Sequence, residues 1–91
     1  MNITYDSNKN QWNIECRQLS FDKVAELDWE TAWVYEDERN DYDEIRYVAY
    51  AMYDQRLHIV CFTETDEGIR VISFRKANSR EVKRYEQRAF D

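Results

Sequence analysis

Ile69-Arg70-Val71-Ile72-Ser73-Phe74-Arg75-Lys76-Ala77-Asn78-Ser79-Arg80-Glu81-Val82-Lys83-Arg84-Tyr85 reads as a buried strand that runs almost directly into a capped helix. Residues 70–75 are β-prone and carry two guanidinium groups. Asn78 offers a side-chain oxygen to the first free N–H groups of a helix. Glu81, three residues on, is spaced to reach back to the cap's own N–H. Arg70, Arg75, Lys76 and Arg80 therefore surround the joint between strand and helix, and a polyanion is expected to meet the protein here.

The charge balance points the same way. The chain of 91 residues has a net charge of −6, unevenly spread. Residues 1–69 hold 6 Lys/Arg against 16 Asp/Glu, whereas residues 70–91 hold 7 against 3. Exposed charge is screened beyond about 8–10 Å, so the basic end can meet phosphate locally while the body repels it. The acidic body opposes tight non-specific binding to nucleic acid and suits a basic protein partner.

The length predicts one domain over residues 1–91, and the 14 aromatic residues suffice to fill its core without disulfides. Cys16 and Cys61 read as reduced, buried thiols. With no C-x-x-C and one His, the chain falls short of the roughly four ligands of a structural zinc site, and neither metal nor cofactor is expected. No apolar run approaches the ~20 residues that span a bilayer, and no signal-peptide pattern opens the chain. A cytoplasmic protein without a membrane partner is the expectation.

Residues 2–6 alternate as a short strand, and residues 8–18 turn helical, with Trp12, Cys16 and Leu19 as a core-facing stripe. Ser20 caps a second predicted helix with Phe21, Val24, Ala25 and Asp28 on one side. Residues 31–35 form a β-prone run, and 36–43 an acidic loop. Residues 44–53 and 56–63 read as strands around a tight turn at Asp54-Gln55. Arg46, Val48, Tyr50 and Met52 share one face of the first of these strands. Both faces of the second are partly apolar, so it should be central. Gly68, in the turn 64–68, is placed to adopt positive φ. A last helix covers about 79–89, with Val82, Tyr85 and Ala89 as its stripe. The predicted class is α+β, in the order β-α-α-β-β-β-β-α, an antiparallel meander with its helices on one sheet face.

Three segments resemble the BrnT toxin family of bacterial type II toxin–antitoxin systems. Asp41-Tyr42-Asp43-Glu44-Ile45-Arg46-Tyr47-Val48-Ala49 is similar to D-Y-G-E-x-R-Y-x-A, and Val60-Cys61-Phe62-Thr63 to V-x-[FY]-T. Arg70-Val71-Ile72-Ser73-Phe74-Arg75-Lys76-Ala77 with Glu81 and Tyr85 is similar to R-x-I-S-x-R-K-A-x-x-x-E-x-x-x-Y. Cys16-Arg17-Gln18 stands where the family commonly has Lys-His-Gly, and Asp43 where it has Gly. The resemblance implies a RelE-like fold and endoribonuclease activity. It also implies a BrnA-like antitoxin with a ribbon-helix-helix end, through which alone the toxin would meet DNA.

A metal-free ribonuclease needs a base for the RNA 2′-hydroxyl, cations for the phosphorane and an acid for the leaving oxygen. Arginine suits the phosphorane because its guanidinium stays charged and binds two oxygens at once. Arg46 and Arg70 interrupt apolar strands, and each either serves such a role or pairs with an acid such as Glu44 or Glu81. Strict alternation puts Arg70 and Arg75 on opposite faces, so a shared groove requires the strand to end or twist before Arg75. Glu81 is a candidate base and also a helix cap. Tyr85 is a candidate proton donor and also a core residue. Lys76, Arg80 and His58, whose unperturbed pKa is near neutrality, are candidate RNA contacts. Ser73 lacks a His–Asp pair, which excludes a serine hydrolase. The alternative function is a toxin-like module that mainly binds a basic antitoxin.

Overall fold

Along the chain run β1 (Asn2–Tyr5), α1 (Ser7–Arg17), a 3-10 helix (Phe21–Glu26), β2 (Trp33–Glu36), β3 (Tyr47–Tyr53), β4 (Arg56–Glu64), β5 (Gly68–Lys76) and α2 (Ser79–Arg88). This computed structural model describes residues 1–38 and 43–88. Asp41 and Tyr42 of the first motif, the middle of the acidic segment and Ala89 lie outside the described residues. The class is α+β. The sheet order is β1-β5-β4-β3-β2, with β4 central. β2 to β5 pair antiparallel, and β1 adds in parallel beside β5, so the sheet is mixed.

Asp54 and Gln55 both take positive φ, 50° and 62°, in the two-residue loop that joins β3 to β4. That backbone matches the twist of paired strands. Gly68 departs from expectation, because its φ is not positive. Its lack of a side chain serves close approach instead: a Cβ there would lie 2.0 Å from the Asn2 carbonyl oxygen. The glycine is what lets β1 lie against the start of β5.

α1 starts at Asp6, whose carboxylate accepts the N–H groups of Asn8 and Lys9 at 2.8 and 3.2 Å. It ends at Gln18, in the left-handed region with φ 54°. The expected core stripe is overturned here. Trp12 and Cys16 are exposed, and Asn13 is the buried residue of α1. The Asn13 amide nitrogen donates to the carbonyls of Leu19 and Phe74, both at 2.9 Å, and its oxygen accepts from Arg17 at 3.0 Å. A buried amide with all these partners costs little and ties α1 to β5. Trp12 is instead covered by the Arg17 guanidinium, 4.8 Å from its ring. Cys61 is half-buried, so neither thiol is fully enclosed.

The second helical element is a 3-10 helix, not an α-helix. Its buried residues are Phe21 and Val24, followed by Leu27, which recur every third residue. Three residues per turn put all three on one side. Ala25 and Asp28, which an α-helical repeat would have buried, are exposed.

The helices do not share one sheet face. Phe21, Val24 and Leu27 pack with Ala49, Ala51, Val60, Phe62, Val71 and Phe74. On the other side Val82 and Tyr85 of α2 pack on Val48, Tyr50, Leu57, Ile59 and Ala77. The cause lies in β3 and β4, whose alternate residues are apolar on both sides and need cover on both. The face opposite α1 would otherwise leave Tyr50, Leu57 and Ile59 in water, at roughly 1.5–3 kcal/mol for each large side chain.

Candidate nucleic-acid interface

A bulge in β5 assembles the basic face. Cys61 pairs with Ser73 and Phe62 with Val71, so Ile72 is skipped in the pairing with β4. One extra residue inverts the alternation beyond it. Val71 and Phe74, three apart, both join the core on the α1 side. Arg70, opposite Thr63, and Arg75, opposite Ile59, consequently lie on the same side, the side that α2 covers. The expected separation of the two arginines onto opposite faces is thus overturned. β5 also continues to Lys76, so Arg75 is not freed by an early strand end.

Arg46 joins this face from the segment that leads into β3, which begins at Tyr47 rather than at residue 44. Its carbonyl accepts the Asp37 N–H at 2.7 Å. The neighbouring Ile45 carbonyl accepts the Thr63 hydroxyl at 2.7 Å. Extending the Tyr47–Phe62 register by one step places Arg46 beside Thr63, and Thr63 pairs with Arg70. Thr63 and Arg70 thus make a rung of β4 and β5, and Arg46, one residue before β3 starts, continues its line. Two strand spacings separate the ends of that line, about 10 Å between Cα atoms. The two guanidinium groups can therefore converge over Thr63.

The arginines differ in what holds them. The half-buried Arg46 has its Nε 3.6 Å from the Glu44 carboxylate. Arg70 is exposed and has no hydrogen-bond or ion-pair partner among the described residues. Arg75 meets Glu81 through two parallel bonds, Nη1–Oε1 at 2.7 Å and Nη2–Oε2 at 2.8 Å. Glu81 is buried, and its Oε1 also accepts the Asn78 N–H at 2.9 Å, while Asn78 Oδ1 accepts the Glu81 N–H at 2.8 Å. This is the reciprocal cap expected for α2. The Arg75 guanidinium, more than burial opposes it, holds the Glu81 carboxyl below its ordinary value, and the Asn78 N–H adds to the effect. Such a carboxylate orients Arg75 and is a weak base.

The remaining sequence candidates sit elsewhere. The Tyr85 hydroxyl donates to the Thr31 carbonyl at 3.1 Å, and Arg88 reaches the same oxygen at 3.0 Å while lying 4.3 Å over the Tyr85 ring. Arg80 is exposed on the first turn of α2. His58 pairs with Lys76 across β4 and β5, on the α1 side. The structure thus brings Arg46, Arg70 and Arg75 to one face, with Glu81 fixed to Arg75. It puts His58 and Lys76 on the opposite face, and it keeps Tyr85 on the α2 side but bonded to Thr31. Thr63 pairs with Arg70 and Glu44 borders Arg46, and neither has an active role in the sequence reading. The alternation that placed Arg46 with Val48 was the available signal, since it also aligns 46 with 63 once the hairpin at 54–55 fixes register.

Among the described residues, no group of three or more His, Cys, Asp or Glu side chains is arranged to hold a metal ion. No described helix is long and apolar enough to cross a membrane. The sequence model of the family described as "Ribonuclease toxin, BrnT, of type II toxin-antitoxin system" matches residues 5–81. No curated protein sequence matches the chain.

Proposed function

The chain belongs to the BrnT family of type II toxin–antitoxin ribonuclease toxins, and from that membership we propose that it is an endoribonuclease whose phosphate clamp is the Arg46–Thr63–Arg70 line. The observation that carries the reading is the bulge at Ile72, which gathers Arg70 and Arg75 with Arg46 on one sheet face of an otherwise acidic protein. In this mechanism Arg46 and Arg70 hold the non-bridging oxygens of one phosphate, and charge grows on those oxygens as the phosphorane forms. The RNA 2′-oxygen attacks phosphorus while its proton passes to the Glu44 carboxylate, the acid that borders Arg46. The P–O5′ bond breaks, the 5′-oxygen takes a proton from a water, the hydroxide so left takes back the proton held by Glu44, and the products are a 2′,3′-cyclic phosphate and a 5′-hydroxyl end. No step uses a metal or a cofactor. Arg75, aimed by Glu81, meets a neighbouring phosphate. Tyr85 keeps α2 in place through Thr31, and Lys76, Arg80 and His58 contact RNA outside the cleavage position.

The wider reading is a RelE-like cytoplasmic toxin that inhibits translation until an antitoxin covers it. The partner is a BrnA-like ribbon-helix-helix protein whose basic surface meets the acidic body, where residues 1–69 carry 16 Asp/Glu against 6 Lys/Arg. A second reading is a toxin-like module that has lost cleavage and keeps antitoxin binding. It is favoured by the net charge of −6 and by the absence of any histidine on the arginine face, since His58, the one histidine, lies on the other side.

Induced expression without an antitoxin gene, with cellular RNA mapped for new 5′-hydroxyl ends, tests the first reading against the second. Wild type should arrest growth and create new ends. Arg46→Ala with Arg70→Ala at equal protein level should abolish both, because one lost oxyanion donor alone costs about 10²–10³ in rate. Glu44→Gln should slow cleavage and leave RNA binding intact. Folded wild-type protein that neither arrests growth nor makes ends, yet binds its antitoxin, would establish the binding module.

A further inference from the structure

The opposite side of the sheet carries a second cleft, of about 710 Å3, between the end of α1, the 3-10 helix and the β3–β4 hairpin. Clefts of roughly 300–1,000 Å3 suit ligands larger than a bare ion. Three cations line it, Lys23, Arg56 and Lys76, against one carboxylate, Asp54. Lys23 also pairs with Glu26 at 3.2 Å, so Arg56 and Lys76, both exposed, are its principal open cations. Local positive excess in a chain of charge −6 needs a reason.

The cleft also contains His58, only 2% exposed. Its Nδ1 lies 2.8 Å from the Arg56 carbonyl oxygen, which can only accept. Nδ1 therefore carries the proton, and the neutral ring presents Nε2 as an acceptor. Burial, more than the nearby Lys76 and Arg56 charges, lowers the His58 pKa and keeps the ring neutral. Nε2 has no hydrogen-bond partner among the described residues, and because His58 lines the cleft this acceptor is available to a donor that enters it. Ile14 and the Tyr53 ring, edge-on to His58 at 5.4 Å, supply an apolar wall.

We propose that this cleft binds a nucleoside 5′-phosphate, free or at the end of an RNA strand, with a base N–H donating to His58 Nε2 and the phosphate between Arg56 and Lys76. An acceptor at the bottom and an aromatic wall match the edge and face of a base, and cations at the rim match its phosphate. The site does not depend on cleavage at the arginine face, because it lies on the other side of the sheet.

His58 is the one histidine of the chain, so its imidazole C–H signals in an NMR spectrum need no further assignment. The wild-type protein is titrated with each of the four ribonucleoside 5′-monophosphates, with inorganic phosphate, and with a short RNA bearing a 5′-phosphate. At least one mononucleotide should shift these signals saturably, while phosphate alone should leave them in place. A tighter response to the RNA would identify a strand end as the ligand, and an equal one the free nucleotide. Arg56→Glu with Lys76→Glu, both at exposed positions, should weaken binding by about tenfold or more through lost charge-assisted contacts. His58→Phe should retain the ring packing and lose the heat of nucleotide binding. Unmoved signals with every nucleotide, the same shift from inorganic phosphate, or undiminished affinity in the charge-reversed variant would overturn the proposal.

Discussion

On the α1 side of the sheet, Val24, Val60 and Phe74 are fully buried, and Val71 is 1% exposed. On the α2 side, cover extends over Tyr50, Leu57 and Ile59 and stops short of the line of Arg46, Thr63 and Arg70. The first face is packed core up to the cleft at the β3–β4 hairpin, and the second is half core, half workbench. The difference teaches that this small sheet divides its labour by face rather than by strand. β5 supplies Phe74 to one face and Arg70 and Arg75 to the other. Its one irregularity, Ile72, sets which residue goes where.

The sharpest way to break that division is to remove the irregularity. Deletion of Ile72 closes the bulge and slips one part of β5 by a residue. Either Ile69 and Val71 leave the core or Phe74 does. With β1 also displaced, the loss should reach about 5 kcal/mol or more, comparable to the whole stability of a small domain. No cooperative thermal transition should be seen by circular dichroism. A deletion variant that melts like wild type would show that the bulge does not determine the faces. Phe74→Ala tests the packed face alone, and should cost about 3–5 kcal/mol in urea unfolding because that side chain has no exposed surface to forfeit.

Each face also holds one group that makes the fold sensitive to acid. His58, on the α1 side, has its pKa lowered from an ordinary 6.5, mainly by burial. Glu81, on the α2 side, has its pKa lowered from an ordinary 4.5, mainly by Arg75. In both cases the unfolded chain binds the proton more readily, so stability is full above the ordinary value and falls as pH drops through the folded one. The windows differ, opening below about 6.5 for His58 and below about 4.5 for Glu81. Urea midpoints measured from pH 8 to pH 3 should therefore fall in two stages. His58→Phe should remove the first stage. Glu81→Gln should remove the second and lower the plateau above it by about 1–3 kcal/mol, since the charged bidentate pair with Arg75 is lost although the amide oxygen can still accept the Asn78 N–H. A single stage unaffected by His58→Phe would deny the α1 side its acid-sensitive group.

What could be read from the chain follows the range of the forces involved. Asn78 with Glu81, and Asp54 with Gln55, act over a few residues, and both the cap and the turn formed where their spacing put them. Alternation in β3 and β4 sorted Val48 and Tyr50 from Ala49 and Ala51 because packing enforces it along each strand. The bulge had no such signature. Ile72 is an ordinary strand residue, and the extra position is revealed only by its pairing with β4, a partner ten residues away in the chain. With the bulge hidden, the shared face of Arg70 and Arg75 was hidden too, and so was much of the candidate site. Asn13 escaped because a polar residue in a helix reads as solvent-facing until its distant acceptor, the Phe74 carbonyl, is known. Period three at Phe21, Val24 and Leu27 was legible, and a stricter count would have favoured the 3-10 helix.

The smallest expected effect separates two arginines on the same face. Arg75→Ala leaves the buried Glu81 carboxylate without its bidentate partner, though Asn78 still donates to it. Because the arginine itself is partly exposed, solvent offsets some of the loss, and a cost of about 1–2 kcal/mol is expected. Arg70→Ala removes an exposed side chain with no hydrogen-bond or ion-pair partner among the described residues, so stability should stay within about 0.5 kcal/mol of wild type. The two variants melted side by side should differ by several degrees, since 1 kcal/mol moves a domain of this size by about 4–8 °C. A guanidinium that contributes nothing to folding yet lies in the rung is held ready for something outside the chain. Equal destabilisation by the two substitutions would assign Arg70 to the fold, and the clamp would then have to be sought without it.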